Sequence, residues 1–251
     1  MDIYEKISNS RIVLKELLNN EWNTDEVPIL SVNEIKDIYN YDTSKNNILN
    51  ILGIASKCSF TVNHKIINSH KLHVLYYNFP EDGINSSRIT KSILNKIKQL
   101  YEKHIDYTDN ILFIINEQFS EPLVNISNMI AIDNQSRMFA NKEVYDTILA
   151  KFSKKSIELN TNHFGNVHFL SINSVVKNIL ESIYVPKHKV IRDKNEIESI
   201  TEACNCKIHQ LPVIDKYDIM SMIHLLVPGD ICEITRISKK VGEYKYYRLC
   251  R

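Results

Sequence analysis

The chain has 251 residues, 43% of them hydrophobic and 24% charged, with a formal net charge of +1. This composition excludes a disordered chain, and it lacks the basic excess with which a self-sufficient nucleic-acid binder displaces counterions, so any DNA contact is expected to be local and shared with partners. The length allows one large domain or two smaller ones.

Five cysteines (Cys58, Cys204, Cys206, Cys232, Cys250) form an odd set without the spacing of a disulfide framework, which fits a reducing compartment. The opening MDIYEKISNSR carries acidic residues where a signal peptide needs a basic start, and no apolar run reaches membrane-spanning length. An intracellular, soluble protein with no membrane partner is expected. Asn, Ile and Lys are over-used relative to Gly, Pro and Ala, which reads as a low-GC coding sequence.

Residues 4 to 20 place Ile7, Val13, Leu14, Leu17 and Leu18 near helical spacing, predicting an amphipathic first helix. Ser31 with Glu34 forms a capping box ahead of Ile35 and Ile38, starting a second helix that the polar stretch Tyr41 to Asn47 ends. Two β-rich runs follow, Cys58 to Asn63 and Leu72 to Phe79, joined by a long hairpin loop. After a turn from Phe79 to Gly83, Ser86 or Ser87 can cap a helix whose buried face is Ile89, Ile93, Ile97, Leu100 and Tyr101. Its opposite face is expected to be basic, through Arg88, Lys91, Lys96 and Lys98. Ile111 to Ile115 is a continuous apolar run, as in a strand covered on both faces. Strand, strand, helix, strand predicts an α/β core with a crossover helix.

Helices are expected near Ser120 to Ile130 and Asn141 to Phe152, with polar joins at Asp133 to Arg137 and Asn160 to Asn166. Val167 to Ile183 is apolar but ambiguous between strand and helix. Beyond it, Asp193 and Glu196 repeat the capping-box pattern and start a helix running to about Ala203. Pro212 excludes helix from QLPVI, Tyr217 to Leu225 is a short helix, and Pro228-Gly229 turns the chain into the alternating strand ICEITRI. A hairpin turn at Ser238 to Gly242 returns it along Tyr244 to Cys250. The predicted result is a small α+β unit ending in a two-stranded ribbon.

Chemistry-bearing patterns are sparse. Cys204, Cys206 and His209 offer three metal ligands, but the C-x-C spacing has no matching pair, so no metal site is assigned. No P-loop, G-x-G-x-x-G or G-x-S-x-G occurs, and five glycines give a phosphate cradle little to be built from. A restriction-type nuclease needs carboxylates on its core strands to hold Mg²⁺. LHVLYYNF and ILFII carry none, and turn solvation accounts for Glu81, Asp82 and Glu117 at strand ends. No catalytic residue and no cofactor is assigned.

One stretch has a residue order specific enough to name. VPKH at 185 to 188, QLPVI at 210 to 214, PGDICEITRIS and GEYKYYRLCR supply Val185, Pro186, His188, Gln210, Leu211, Pro212, Ile214, Asp218, Gly229, Ile234, Arg236, Ser238, Gly242, Tyr244, Tyr247, Arg248 and Leu249 in order. The segment resembles the assembly domain of the shared fifth subunit of eukaryotic RNA polymerases, a family with a shorter archaeal branch. The resemblance implies a non-catalytic polymerase subunit. It also implies a subunit interface through Val185, Pro186, His188, Gln210, Leu211, Pro212, Ile214, Gly229, Arg236, Tyr244, Tyr247 and Arg248. Val213 stands where the family commonly has Arg, Ile219 where it has Pro, Leu225 where it has Gly, and Pro228 where it has a basic residue, so contacts through these positions differ here.

The resemblance extends more weakly forward. It implies a jaw domain with a nuclease-like but inactive core over residues 1–182, an assembly domain over 183–251, and insertions at 36–56 and 133–166. Gly83, Ile84 and Ser120 sit where relatives approach downstream DNA, which makes Arg88, Lys91, Lys96 and Ser120 the DNA-proximal candidates. The implied partners are the largest polymerase subunit, other polymerase subunits and downstream duplex DNA. A stand-alone nuclease-like protein and a free transcription adaptor are the alternatives. The source stays open between a cell, with a nuclear location, and a large DNA virus, with a location in host cytoplasm or virion.

Overall fold

The computed structural model describes residues 1–40, 52–67, 69–80, 88–153 and 161–251. The chain divides into two units, Met1–Ser136 with Phe164–Asn178, and Arg137–His163 with Ile179–Arg251. Residues 137–163, inside the expected jaw span, group with the second unit. No helix among the described residues is long and apolar enough to cross a membrane.

The first unit opens with α1 (Ile3–Leu18). Asp2 and Glu5 close a capping box at its start, satisfying two backbone N–H groups that a helix end leaves orphaned. Its apolar stripe buries Ile7, Val13, Leu14, Leu17 and Leu18, as the spacing predicts. α2 (Val32–Asn40) starts at the expected box: Glu34 accepts from Ser31 N–H at 2.7 Å, and Ser31 Oγ accepts from Glu34 N–H at 3.3 Å. The polar stretch expected to end it lies outside the described residues.

A five-stranded sheet runs in the order β1 (Trp22–Asn23), β2 (Phe60–His64), β3 (Lys71–Tyr77), β4 (Asn110–Ile115) and β5 (Val167–Ser171). The β1–β2 and β2–β3 pairs are antiparallel, and the β3–β4 and β4–β5 pairs are parallel. Every residue of β4 is buried, as in an interior strand covered on both faces. The crossover from β3 to β4 is α3 (Ser92–Lys103), whose Ile93, Ile97, Leu100 and Tyr101 pack against Leu75, Tyr77, Ile111 and Phe113.

The structure corrects two expectations in this region. α3 begins at Ser92 with Lys91 at its N-cap, and no side chain caps it; Ser86 and Ser87 lie outside the described residues. Ile89, before the helix, is instead fixed by donating its N–H to the Glu117 carboxylate at 3.2 Å. The polar join at Asp133 to Arg137 is also absent, because α4 (Glu121–Ala140) continues through it. That stretch has no Gly or Pro to stop a helix, and its polar groups find partners: Asn134 donates to the Gly165 carbonyl, and Ser136 bonds back to the Ile132 carbonyl at 3.0 Å.

Arg11 on α1 is 3% exposed. It donates to the carbonyls of Cys58 and Pro28, with its guanidinium 4.8 Å from the Phe60 ring centroid. Beside it, Ser10 and the fully buried Tyr76 share a hydrogen bond of 2.8 Å. One side chain thus ties α1 to two irregular segments whose buried carbonyls need donors.

The second unit holds α5 (Lys142–Ser153), β6 (Lys187–Ile191), α6 (Lys194–Ala203), β7 (Val213–Ile214), α7 (Ile219–Ile223), β8 (Ile231–Ser238) and β9 (Gly242–Cys250). Its sheet has four strands in the order β6-β8-β9-β7, where the sequence predicted only the β8–β9 ribbon. β6 escapes a sequence reading because Lys187, His188 and Lys189 give it a polar look, yet it pairs antiparallel with β8 from Lys187↔Thr235 to Ile191↔Ile231. The apolar stretch Val167 to Ile183 resolves into β5 and two single 3₁₀ turns.

Arg11→Ala should lower stability by roughly 3 kcal/mol, since it removes hydrogen bonds from a charged donor and leaves two carbonyls unsatisfied. Urea unfolding measures it, and Arg11→Lys should recover part of the loss.

Candidate interaction surface

The β8–β9 ladder runs without a bulge from Ile231↔Leu249 to Ser238↔Gly242. Because strand side chains alternate, this register assigns every residue to one of two faces. On the first face Ile191, Ile231 and Leu249 pack with Ile197 and Ile200 of α6 and with Leu211, and Tyr247 and Cys206 pack at the margin. On the second, Cys232, Ile234 and Cys250 pack with Ile214 and Leu226, and Val190 and Tyr246 pack at the margin. Burial pushes the Cys232 thiol up to about 11 and Cys250 up to about 12, so both act as neutral packing groups.

Ionic pairs link the elements of this module. Asp230 is 1% exposed, and accepts from Arg192 Nε at 3.1 Å and from Val227 N–H at 3.0 Å, with His163 Nε2 at 3.8 Å. Arg192 also donates to the Leu225 carbonyl at 3.0 Å. Leu225 follows α7 with φ of 50°, a left-handed helix-stop position that favours glycine, while its side chain is buried. On the first face Lys245 pairs with the buried Glu233 at 3.2 Å. Asp193 caps α6 through Asn195 N–H, while Glu196 pairs with Lys189 at 2.6 Å.

The predicted interface residues divide on this frame. Leu211 and Ile214 are core, and Tyr247 packs on the first face, where burial and then Glu233 push its phenol up. Gln210 accepts from Lys207 N–H at 2.7 Å, and Pro212 supplies the carbonyl for Leu249 N–H at 2.8 Å. Gly229, with φ of 103°, makes the turn into β8. Val185 and Pro186 are half-buried ahead of β6. His188, Arg236, Tyr244 and Arg248 are brought together on the second face with Tyr246, which the sequence reading missed. Its one signal was the two-residue alternation with Tyr244 and Arg248.

His188 Nδ1 donates to the Pro186 carbonyl at 2.7 Å, and its ring stacks on His224 with centroids 5.8 Å apart. Burial pulls it below its ordinary value of 6.5; Pro186 and Asp218 oppose this, and Arg236 and Arg248 reinforce it. The imidazole is therefore neutral at neutral pH.

In the first unit, the segment carrying Arg88 and Lys91 is tied by Ile89 to Glu117, close in sequence to Ser120, and all three candidates are exposed. Gly83 and Ile84 lie outside the described residues. The expected basic helix face is not formed. Arg88 precedes the helix, Lys96 lies 4.9 Å from the Tyr77 ring centroid, and Lys98 reaches Asp133 at 4.0 Å. Positions 96 and 98 are about 200° apart around an α-helix, so they cannot share a face. Cys204 is exposed and Cys206 half-buried, on either side of Asn205 at φ of 47°; among the described residues no group of three or more His, Cys, Asp or Glu could hold a metal.

Two packed faces, with ionisable groups engaged in holding the sheet to its covers, define a structural module. A family model described as RNA polymerase Rpb5, C-terminal domain, matches residues 177–250. The DNA-directed RNA polymerase subunit Rpo5 of Nitrosopumilus maritimus is 43% identical over 68 residues, 27% of this chain and 81% of that protein. Subunit Rpo5 of Aeropyrum pernix is 40% identical over 28% of this chain and 77% of the relative, and that of Methanosarcina barkeri 37% over 28% and 90%. The chain belongs to the Rpb5 family of non-catalytic RNA polymerase subunits, known as Rpo5 in archaea.

Asp230→Ala should destabilise the second unit by about 3–5 kcal/mol, because it leaves the Arg192 guanidinium without its buried counter-ion; thermal unfolding reads the loss. For His188, the unfolded chain takes up the proton first as pH falls. Its contribution to stability is complete above about pH 6.5 and is lost below it. His188→Asn should flatten this part of the unfolding profile below about pH 6.5.

Proposed function

We propose that this chain is a non-catalytic subunit of a multisubunit DNA-directed RNA polymerase, acting inside the cell in transcription. Residues 183–251 form its assembly domain and dock on the largest subunit. The carrying observation is that the module alone spans most of each archaeal relative, while the relatives account for only about a quarter of this chain. This supports reading the second sheet as the part that assembles.

The amino-terminal part, residues 1–182, serves as a jaw with a nuclease-like but inactive core that flanks downstream DNA. Its supports are the mixed sheet with crossover α3 and the absence of Asp and Glu from β3, β4 and β5. Arg88 and Lys91, exposed beside the start of α3, are the groups placed to meet phosphate. Lys96 is less suited, because its ammonium is engaged with Tyr77.

Co-purification of the native chain with the largest polymerase subunit tests the assembly role, and a chain recovered free of polymerase contradicts it. For the jaw, Arg88→Ala and Lys91→Ala should each flatten the log-log salt dependence of polymerase–DNA binding by about 0.9, with Lys96→Ala changing it least. An unchanged slope in the double variant returns these residues to ordinary solvated surface.

A further inference from the structure

The second face of the module ends in a cluster of arginine and tyrosine side chains. Arg236↔Tyr244, Ile234↔Tyr246 and Cys232↔Arg248 are facing pairs, so Arg236, Tyr244, Tyr246 and Arg248 share one face. Two guanidiniums meet the Tyr246 ring, Arg236 at 5.1 Å and Arg248 at 5.5 Å from its centroid. β7 pairs with β9 only at Leu249 and Cys250, so Tyr244, Tyr246 and Arg248 lie on the part of β9 that has no β7 neighbour.

The pairing of charges sets the stack apart from the rest of the module. Arg192, Lys189 and Lys245 each have a carboxylate partner. Arg236 and Arg248 make no ion pair among the described residues, and the buried Nε of Arg248 has no hydrogen-bond partner. Asp218 acts on neighbouring His188 and Cys232 through its charge, while its side chain accepts from Met220 N–H at 2.8 Å at the start of α7. Stacking on an aromatic ring fixes a guanidinium plane and leaves its N–H edge pointing outward, pre-ordered for a planar bidentate acceptor.

We infer that Arg236, Tyr246 and Arg248 form a cradle for carboxylate side chains, which receives an acidic segment of the polymerase subunit on which the module docks. The inference rests on the assembly role proposed above and names the chemistry of that contact. Two unpaired cations call for negative charge, and Arg and Tyr are the residue types that carry most interface energy. A protein carboxylate fits better than a nucleic-acid backbone. A phosphate track needs a run of cations, whereas here two guanidiniums are spaced by a ring, with a neutral His188 alongside on the same face.

The test measures binding of the full chain to the purified largest subunit of its own polymerase, with a short DNA duplex as second probe. Arg236→Glu, at an exposed position, should weaken subunit binding by about thirtyfold or more. Arg236→Lys should fall between it and the unmodified chain, because charge remains and the bidentate fork is lost. Arg248→Gln should weaken binding similarly with its unfolding midpoint preserved, and Lys239→Glu at the hairpin tip should change it less than about threefold, the scale of a rim charge. Equal binding of Arg236→Glu and unmodified chain overturns the cradle alone. A loss confined to the duplex overturns it in favour of a nucleic-acid site. If the unmodified chain does not bind the subunit, the assembly role falls and the cradle falls with it.

Discussion

The continuous register of β8 against β9 is the constraint on which the second unit depends. With no bulge between Ile231↔Leu249 and Ser238↔Gly242, the two-residue period sends Ile231, Glu233, Tyr247 and Leu249 to one face and Cys232, Ile234, Tyr246 and Arg248 to the other. A slip of one residue would exchange the two sets, placing Arg248 under α6 and Leu249 on the opposite face. The hairpin fixes the register at its tip, where Gly242 takes φ of 80°. At the far end, Cys250 N–H reaches the Asp230 carbonyl at 2.9 Å and Arg251 N–H the Ile214 carbonyl at 3.0 Å.

Asp230 links this ladder to its covers. Its carboxylate meets Arg192 from the end of β6 and the backbone of the α7–β8 turn, so strand, turn and edge strand are joined through one buried charge. A buried pair of this kind contributes little net stability, but it is costly to break and holds one arrangement against others. Leu225 shows a related compromise. A non-glycine residue in the left-handed region carries strain, which its buried side chain and the Arg192 contact to its carbonyl offset.

Much of the fold was legible in the sequence wherever a pattern is local and has one dominant reading. The capping box at Ser31 and Glu34, the stripe Ile93-Ile97-Leu100-Tyr101, the apolar run of β4 and the alternation of β8 are of this kind. β6 was not legible, since an edge strand carrying Lys and His looks like loop until its partner is known. The continuation of α4 through Asp133 to Arg137 depends on partners far along the chain, such as the Gly165 carbonyl. The division of the family motif into residues that build the module and residues that stay outside it followed only from the cross-strand register. Tyr246, at the centre of the arginine stack, was not legible because its role lies in two neighbours that no short motif joins.

The first unit shows the opposite economy of motif. Its sheet and helices are set by ordinary apolar periodicity and by Arg11, and its basic residues disperse over the start and flanks of α3. Hydrogen exchange of the full chain, free and bound to the largest polymerase subunit, is the direct test of the assembly role proposed for the second sheet. With the second sheet as the platform, binding brings new protection in residues 183–190 and 234–248, with β2 and β3 unchanged. Protection confined to residues 1–136, with 234–248 exchanging as in the free chain, would contradict it.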